Sequence, residues 1–303
     1  MKFFLLKAVL FVAFIPLLFS ACEKEYTGIE QVDEQNIQEY IKKNSLGEFK
    51  TDSSGIYYKI IAPGNGDTVH NTDKVYFTYT IKTFNGEYNS SDEYINRYAG
   101  YLGYVSPQTN LPEAFRFAIG NFLKQEGGTI RVIIPSRLAF GRNETKINGS
   151  TIPSNSSLDC TVTLLKKNNL QQYEDSLITQ YMQKNSLTGY TKTASGLYYK
   201  IADIGTGSPI TIDSTVSAAY TGRLLNGTVF ETVTESSPGT FDLNDPGLRK
   251  GWKETIPLIK GGGSIRIIFP SSLGYGLAGY GTSIPPFSPL DFDIKVTDVK
   301  QND

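Results

Sequence analysis

One stretch of this chain is written twice, and the spacing of the two copies limits what it can fold into. Glu39-Tyr40-Ile41-Lys42-Lys43-Asn44-Ser45-Leu46 recurs as Gln180-Tyr181-Met182-Gln183-Lys184-Asn185-Ser186-Leu187. Ser54-Gly55-Ile56-Tyr57-Tyr58-Lys59-Ile60 recurs as Ser195-Gly196-Leu197-Tyr198-Tyr199-Lys200-Ile201, again 141 positions later. A period that long is a domain, not the short unit of a solenoid. Two such units account for most of the 303 residues.

Each unit opens with a polar helical stretch, residues 34–43 in the first and 170–184 in the second. In the second, Tyr173, Leu177 and Tyr181 recur every four residues. Strand patterns follow. Val75, Phe77, Tyr79 and Ile81 alternate with polar or smaller neighbours up to the Asn85-Gly86 turn, and residues 215–225 lead into Asn226-Gly227. Leu290, Phe292, Ile294 and Val296 alternate with Asp291, Asp293, Lys295 and Thr297, predicting a strand with one wet face. One helix is expected inside the second unit, over residues 247–259, stopped by Gly261-Gly262-Gly263. The class is α+β, a curved antiparallel sheet around a short helix in each unit.

Composition removes several kinds of function. The 29 basic and 30 acidic residues leave a net charge of -1, so no basic field invites nucleic acid. One histidine, His70, and two cysteines, Cys22 and Cys160, exclude zinc sites built from those residues and leave little for a histidine triad. His70 reads as an exposed loop residue and Cys160 as a buried structural thiol. Gly274-Tyr275-Gly276-Leu277-Ala278-Gly279 spells a dinucleotide-binding pattern, but Gly281 and Pro285-Pro286 follow where a helix is required.

At the N-terminus an apolar run over residues 8–19, preceded by Lys2 and Lys7, has the length of an export signal and not of a membrane span. It ends in Phe19-Ser20-Ala21-Cys22, which resembles the lipobox of bacterial lipoproteins. That implies cleavage after residue 21, lipid on Cys22, and anchoring to the cell envelope, with Glu23 pointing to the outer membrane. Residues 23 to about 38 are polar and acidic and read as a tether.

The second unit carries an ordered set of motifs: Tyr220-Thr221-Gly222, Gly227-Thr228-Val229-Phe230-Glu231, Gly251-Trp252, Tyr275-Gly276, Ile284-Pro285-Pro286 and Leu290-Asp291-Phe292-Asp293. In order and spacing these resemble the FKBP-type peptidyl-prolyl cis-trans isomerase family over about residues 193–300, with a weaker copy over about 52–166. The resemblance implies a half-barrel wrapped over a helix with an apolar pocket between. Trp252 would be the pocket floor, Tyr220, Phe230 and Phe292 its aromatic walls, and Leu248 an aliphatic edge. Tyr275 and Ile284 would belong to a flap, with the Ile284 N–H holding a substrate carbonyl. Glu231 stands where the family usually has Asp, and Arg249 where it has an aliphatic residue at the rim.

In the first unit, Tyr79 matches Tyr220, Tyr88-Asn89 stands for Phe230-Glu231, Phe140 for Tyr275 and Ile152 for Ile284. Counting back from Pro135 and Pro270 sets Phe117 opposite Trp252. Cys160 replaces Phe292, leaving a hole in place of an aromatic wall. This copy reads as degenerate.

The expected organisation is a signal peptide over residues 1–21, a tether and helix over 22–51, a degenerate FKBP-like domain over 52–166, a helical linker over 167–192 and an active one over 193–303. The expected function is prolyl isomerisation in exported or envelope proteins, assisting their folding, with no cofactor, no metal and proline-containing segments as partners. Two alternatives remain from sequence: a non-catalytic, chaperone-like polypeptide binder, and a spacer lipoprotein.

Overall fold

The computed structural model describes residues 28–105 and 109–301. Residues 1–21, read above as an export signal, and Cys22 lie outside the described residues. Among the described residues, no helix is long and apolar enough to cross a membrane.

Two seven-stranded antiparallel sheets follow one another in the chain with the same strand order. The first runs 50–51, 57–62, 129–134, 158–164, 74–83, 89–90, with Arg97–Tyr101 also paired to Lys74–Thr83. The second runs 191–192, 198–203, 264–269, 290–301, 214–224, 229–233, with Gly239–Asp242 also paired to Ser214–Leu224. The first strands begin at Lys50 and Thr191, two and two residues ahead of the expected starts at 52 and 193.

Helix α1 (Ile29–Lys43) leads into the first sheet. It starts inside the stretch read as tether, because Asp33 and Ile37 are buried and pin that stretch to the unit. Helix α2 (Ala114–Phe117) continues into a π-helical turn, Ala118–Leu123. Helix α3 (Leu170–Lys184) has the expected bounds and buries Leu170, Leu177, Ile178 and Tyr181 along one stripe. Helix α4 (Lys250–Thr255) is shorter than the expected 247–259. Asp245 takes the amides of Gly247 and Leu248 into a turn before it, and a 3-10 turn holding Pro257 follows it.

Each lead-in helix is fastened to the outer face of its sheet by the same three side chains. The Tyr40 hydroxyl donates to Asp159 at 2.8 Å while Arg131 grips that carboxylate at 2.6 and 2.8 Å. In the second unit Tyr181 donates to Asp291 at 2.7 Å, and Arg266 holds it at 2.7 and 3.0 Å. Asp291 is thus fully buried, so the face of strand Leu290–Gln301 expected to be wet is covered by α3 at that point. The pairing satisfies a carboxylate that could not otherwise be buried. Burial and the adjoining Asp291 carboxylate push the Tyr181 hydroxyl up to about 12.

α3 also sets the loop that carries Tyr275. Glu174, buried on that helix, accepts from the Ser271 amide at 2.6 Å and the Ser271 hydroxyl at 2.8 Å. Burial raises the Glu174 carboxyl above its ordinary range.

Candidate active site

The second sheet curls over α4, and the space between holds a cluster of aromatic rings. Trp252, on the first turns of α4, is 3% exposed. Tyr220 meets it edge-on at 5.0 Å and Phe292 at 5.8 Å, with Phe241 tilted at 4.9 Å. Such edge-to-face geometry is what ring quadrupoles prefer. Above these rings a cavity of about 210 Å³ is lined by Tyr220, Glu231, Phe241, Leu248, Arg249, Trp252, Tyr275 and Phe292 among others. The structure therefore gathers most of the residues singled out from sequence around one hollow.

Two of them stand elsewhere. Phe230 sits behind the hollow, edge-on to Phe292 at 5.6 Å, and lines the groove on the other side of the flap. Ile284 is buried, and its N–H donates to the Tyr280 carbonyl at 3.1 Å while the Tyr280 N–H donates back at 2.8 Å. That amide is consumed in closing the flap, so the expected role of holding a substrate carbonyl is corrected.

The polar groups sit at the rim. The Tyr220 hydroxyl hydrogen-bonds to the exposed Glu231 carboxylate; burial first, and that carboxylate second, drive its titration above the ordinary tyrosine range. The Arg249 guanidinium lies over the Tyr275 ring at 4.5 Å. Arg249 thus closes the rim with its planar face, the place of the aliphatic residue being taken by a cation–π contact. Burial raises the Tyr275 hydroxyl, and Arg249 partly offsets this. The Trp252 indole N–H is buried with no acceptor among the described residues.

Phe241 was missed in the sequence. Its signal was the alternation of Phe241 and Leu243 with Thr240 and Asp242, a short strand ahead of α4.

The first unit fills the matching positions with different side chains. Phe115 is the counterpart of Trp252: it is fully buried and meets Tyr79 at 5.7 Å, whereas Phe117 is 36% exposed under Arg116. Counting failed because Gln125, bridged to Thr68, follows Phe115 by ten positions, whereas Lys260, bridged to Pro209 in the same way, follows Trp252 by eight. The π-helical turn absorbs the difference.

Asn89 is not the counterpart of Glu231. Ile81 pairs with Ser90 where Gly222 pairs with Glu231, and the second unit has a β-bulge next to that pair which the first lacks. Phe230 is the bulged residue; Ile81 to Ser90 and Gly222 to Glu231 are each nine positions, so a turn one residue shorter takes up the bulge in the second unit. Tyr88 still turns inward and is 3% exposed, with its hydroxyl on the Ile147 carbonyl at 3.4 Å.

Cys160 does occupy the register of Phe292, and burial holds its thiol well above the ordinary range. It leaves no hole, because Ile81, fully buried, stands where the second unit has Gly222. Phe140 is half-buried against the first core, and Ile152 closes a hairpin (Thr145–Ile147 with Ser150–Ile152) in place of the shorter flap. His70 is exposed.

Residues 207–297 match the family described as FKBP-type peptidyl-prolyl cis-trans isomerase. A probable FKBP-type peptidyl-prolyl cis-trans isomerase of Haemophilus influenzae is 46% identical over 108 residues, covering 35% of this chain and 44% of the relative. The macrophage infectivity potentiator of Trypanosoma cruzi is 38% identical, covering 39% of this chain and 60% of the relative. A crystal structure of FkpA from Escherichia coli matches with 33% identity and a TM-score of 0.39, over 43% of this chain and 61% of that one. The chain spans about half the length of the curated relatives it matches.

Proposed function

Through residues 207–297 the chain belongs to the FKBP-type peptidyl-prolyl cis-trans isomerase family, and from that premise we propose that the cavity over Trp252 isomerises X–Pro peptide bonds. The carrying observation is the cavity itself, a hollow with the rings of Tyr220, Phe241, Trp252 and Phe292 in its lining beside Glu231, Asp245 and Arg249.

The reaction needs no nucleophile and no proton transfer. Rotation about the bond breaks amide resonance, at a barrier of ~18–20 kcal/mol. The twisted amide is less dipolar than the planar one. An apolar floor of Trp252, Phe292 and Phe241 therefore disfavours the planar ground state relative to the transition state, which is the differential binding that lowers a barrier. The Tyr275 hydroxyl, at the rim, is the donor best placed to bind the rotated carbonyl.

The two sheets with equal strand order, the shared Tyr–Asp–Arg fastening and the repeated sequence support reading the chain as tandem FKBP-like domains, of which only the second is a working enzyme. The lipobox-like Phe19-Ser20-Ala21-Cys22 supports an exported protein anchored by lipid to the cell envelope, acting on proline-containing segments of other exported proteins.

A polypeptide-binding role without catalysis is the second reading, favoured by Arg249 over Tyr275, which narrows the rim. Exchange NMR on a short X–Pro peptide with the full chain separates the two. Catalysis predicts faster cis–trans exchange together with a change in Trp252 emission, whereas binding alone predicts the emission change without the faster exchange.

A further inference from the structure

The flap of the second unit runs from Tyr275 to Pro286, and it is held by the first unit. Phe287, the residue after Pro285-Pro286, is fully buried. Its ring leaves its own sheet and packs with Tyr76, Ala99 and Leu165 of the first unit and Leu170 and Tyr173 of α3. Tyr76 meets it edge-on at 6.2 Å. Arg97, only 5% exposed, lies over the ring at 5.0 Å and donates from Nη1 to the Phe287 carbonyl at 2.5 Å. The Nε of Arg97 is itself fixed on the Glu93 carbonyl at 2.7 Å. Beside this anchor, the flap turn Gly276–Ala278 lies against strand Arg97–Tyr101.

The backbone at Phe287 has φ +41, a left-handed conformation that a bulky residue rarely adopts. The first unit has the same conformation at the matching place, three residues before its last strand, but there the residue is Asn155 (φ +53), which tolerates it. A ring in such a place persists only where its surroundings compensate, and here the other unit and α3 supply them.

We infer that the first unit is a positioning element for the second: Arg97 and the pocket around Phe287 dock the flap over the cavity, and affinity for the substrate depends on that docking. The inference rests on the isomerase reading of the cavity. A flap that leaves its dock reduces the fraction of molecules competent to bind, and the apparent affinity falls by that fraction while turnover of the bound complex does not change. The first unit thereby has a function in the second unit's site. Arg97 and Phe287 are positioning residues, acting on substrate through Tyr275 and its neighbours.

The test uses the full chain and two variants, Phe287→Asn, which keeps a residue suited to the left-handed backbone, and Arg97→Met, which keeps the apolar stem. Hydrogen exchange over residues 276–286 without ligand is expected to accelerate on the order of tenfold in both. On an X–Pro peptide, KM is expected to rise on the order of tenfold with kcat held, and Arg97→Lys to recover part of the loss. Unchanged flap exchange in both variants overturns the inference, as does a fall in kcat at constant KM. Wild-type protein that does not accelerate isomerisation overturns the isomerase reading, while flap exchange still decides whether the first unit docks the flap.

Discussion

Gly222 and Phe292 are paired across two neighbouring strands, and a Cβ on Gly222 would stand 2.7 Å from the Phe292 ring. It would also come within 2.6 Å of Phe230. The first unit holds Ile81 and Cys160 in the same register, a large residue and a small one exchanged across the pair. Volume is kept, so the core stays packed, but the aromatic wall is lost. The aromatic wall on Phe292 thus depends on the glycine opposite it.

Phe292→Cys alone is expected to leave a void and to cost roughly 3 kcal/mol of stability. Adding Gly222→Ile to it recreates the pair found in the first unit and is expected to restore about 1 kcal/mol or more without restoring activity. Urea unfolding of both variants checks this, and a double variant less stable than the single would contradict the exchange.

Tyr275→Phe removes one rim hydroxyl and leaves the ring under Arg249. Its kcat/KM is expected to fall by roughly three- to tenfold, the worth of one hydrogen bond made in the transition state. A loss of several hundredfold would show that the hydroxyl does more than bind the rotated carbonyl.

Alkaline pH should loosen the helices from the sheets. The Tyr181 hydroxyl is pushed from 10 up to about 12, so the folded state holds its proton more tightly than the unfolded chain does. Its contribution is complete below pH 10 and is lost as pH rises towards about 12, when an anion would form beside Asp291. Tyr181→Phe is expected to cost about 1–2 kcal/mol at neutral pH and to make the decline between pH 10 and 12 shallower. Unfolding curves across that range decide it; equal slopes for the two proteins would contradict the assignment.

Lipid on Cys22 predicts that Cys22→Ser moves the protein from the membrane fraction to the soluble one. A variant that still sediments with membranes would refute the lipobox reading.

Much of this was legible in the sequence, because the repeat and the ordered motifs are local. The bounds of α3 follow from its four-residue spacing, and Trp252, Tyr220, Tyr275 and Phe292 from their motifs. The failures share a cause: positions were compared by counting. A π-helical turn moves the floor residue from Phe117 to Phe115, and a β-bulge sets Phe230 out of the pairing with no change in count, Ser90 and not Asn89 falling opposite Glu231. Neither device leaves a mark in a single sequence. Burial of Asp291 was hidden for another reason, since its partners Tyr181 and Arg266 lie 110 and 25 residues away. Docking of Phe287 was illegible for the same reason, as Arg97 lies 190 residues from it.

The most direct test is exchange NMR on a short X–Pro peptide, comparing the intact chain with Phe292→Cys in the same buffer. Isomerisation in the cavity over Trp252 predicts acceleration by the wild type that is lost in the variant. A folded wild type that accelerates nothing, or a Phe292→Cys protein that works as well, would contradict it.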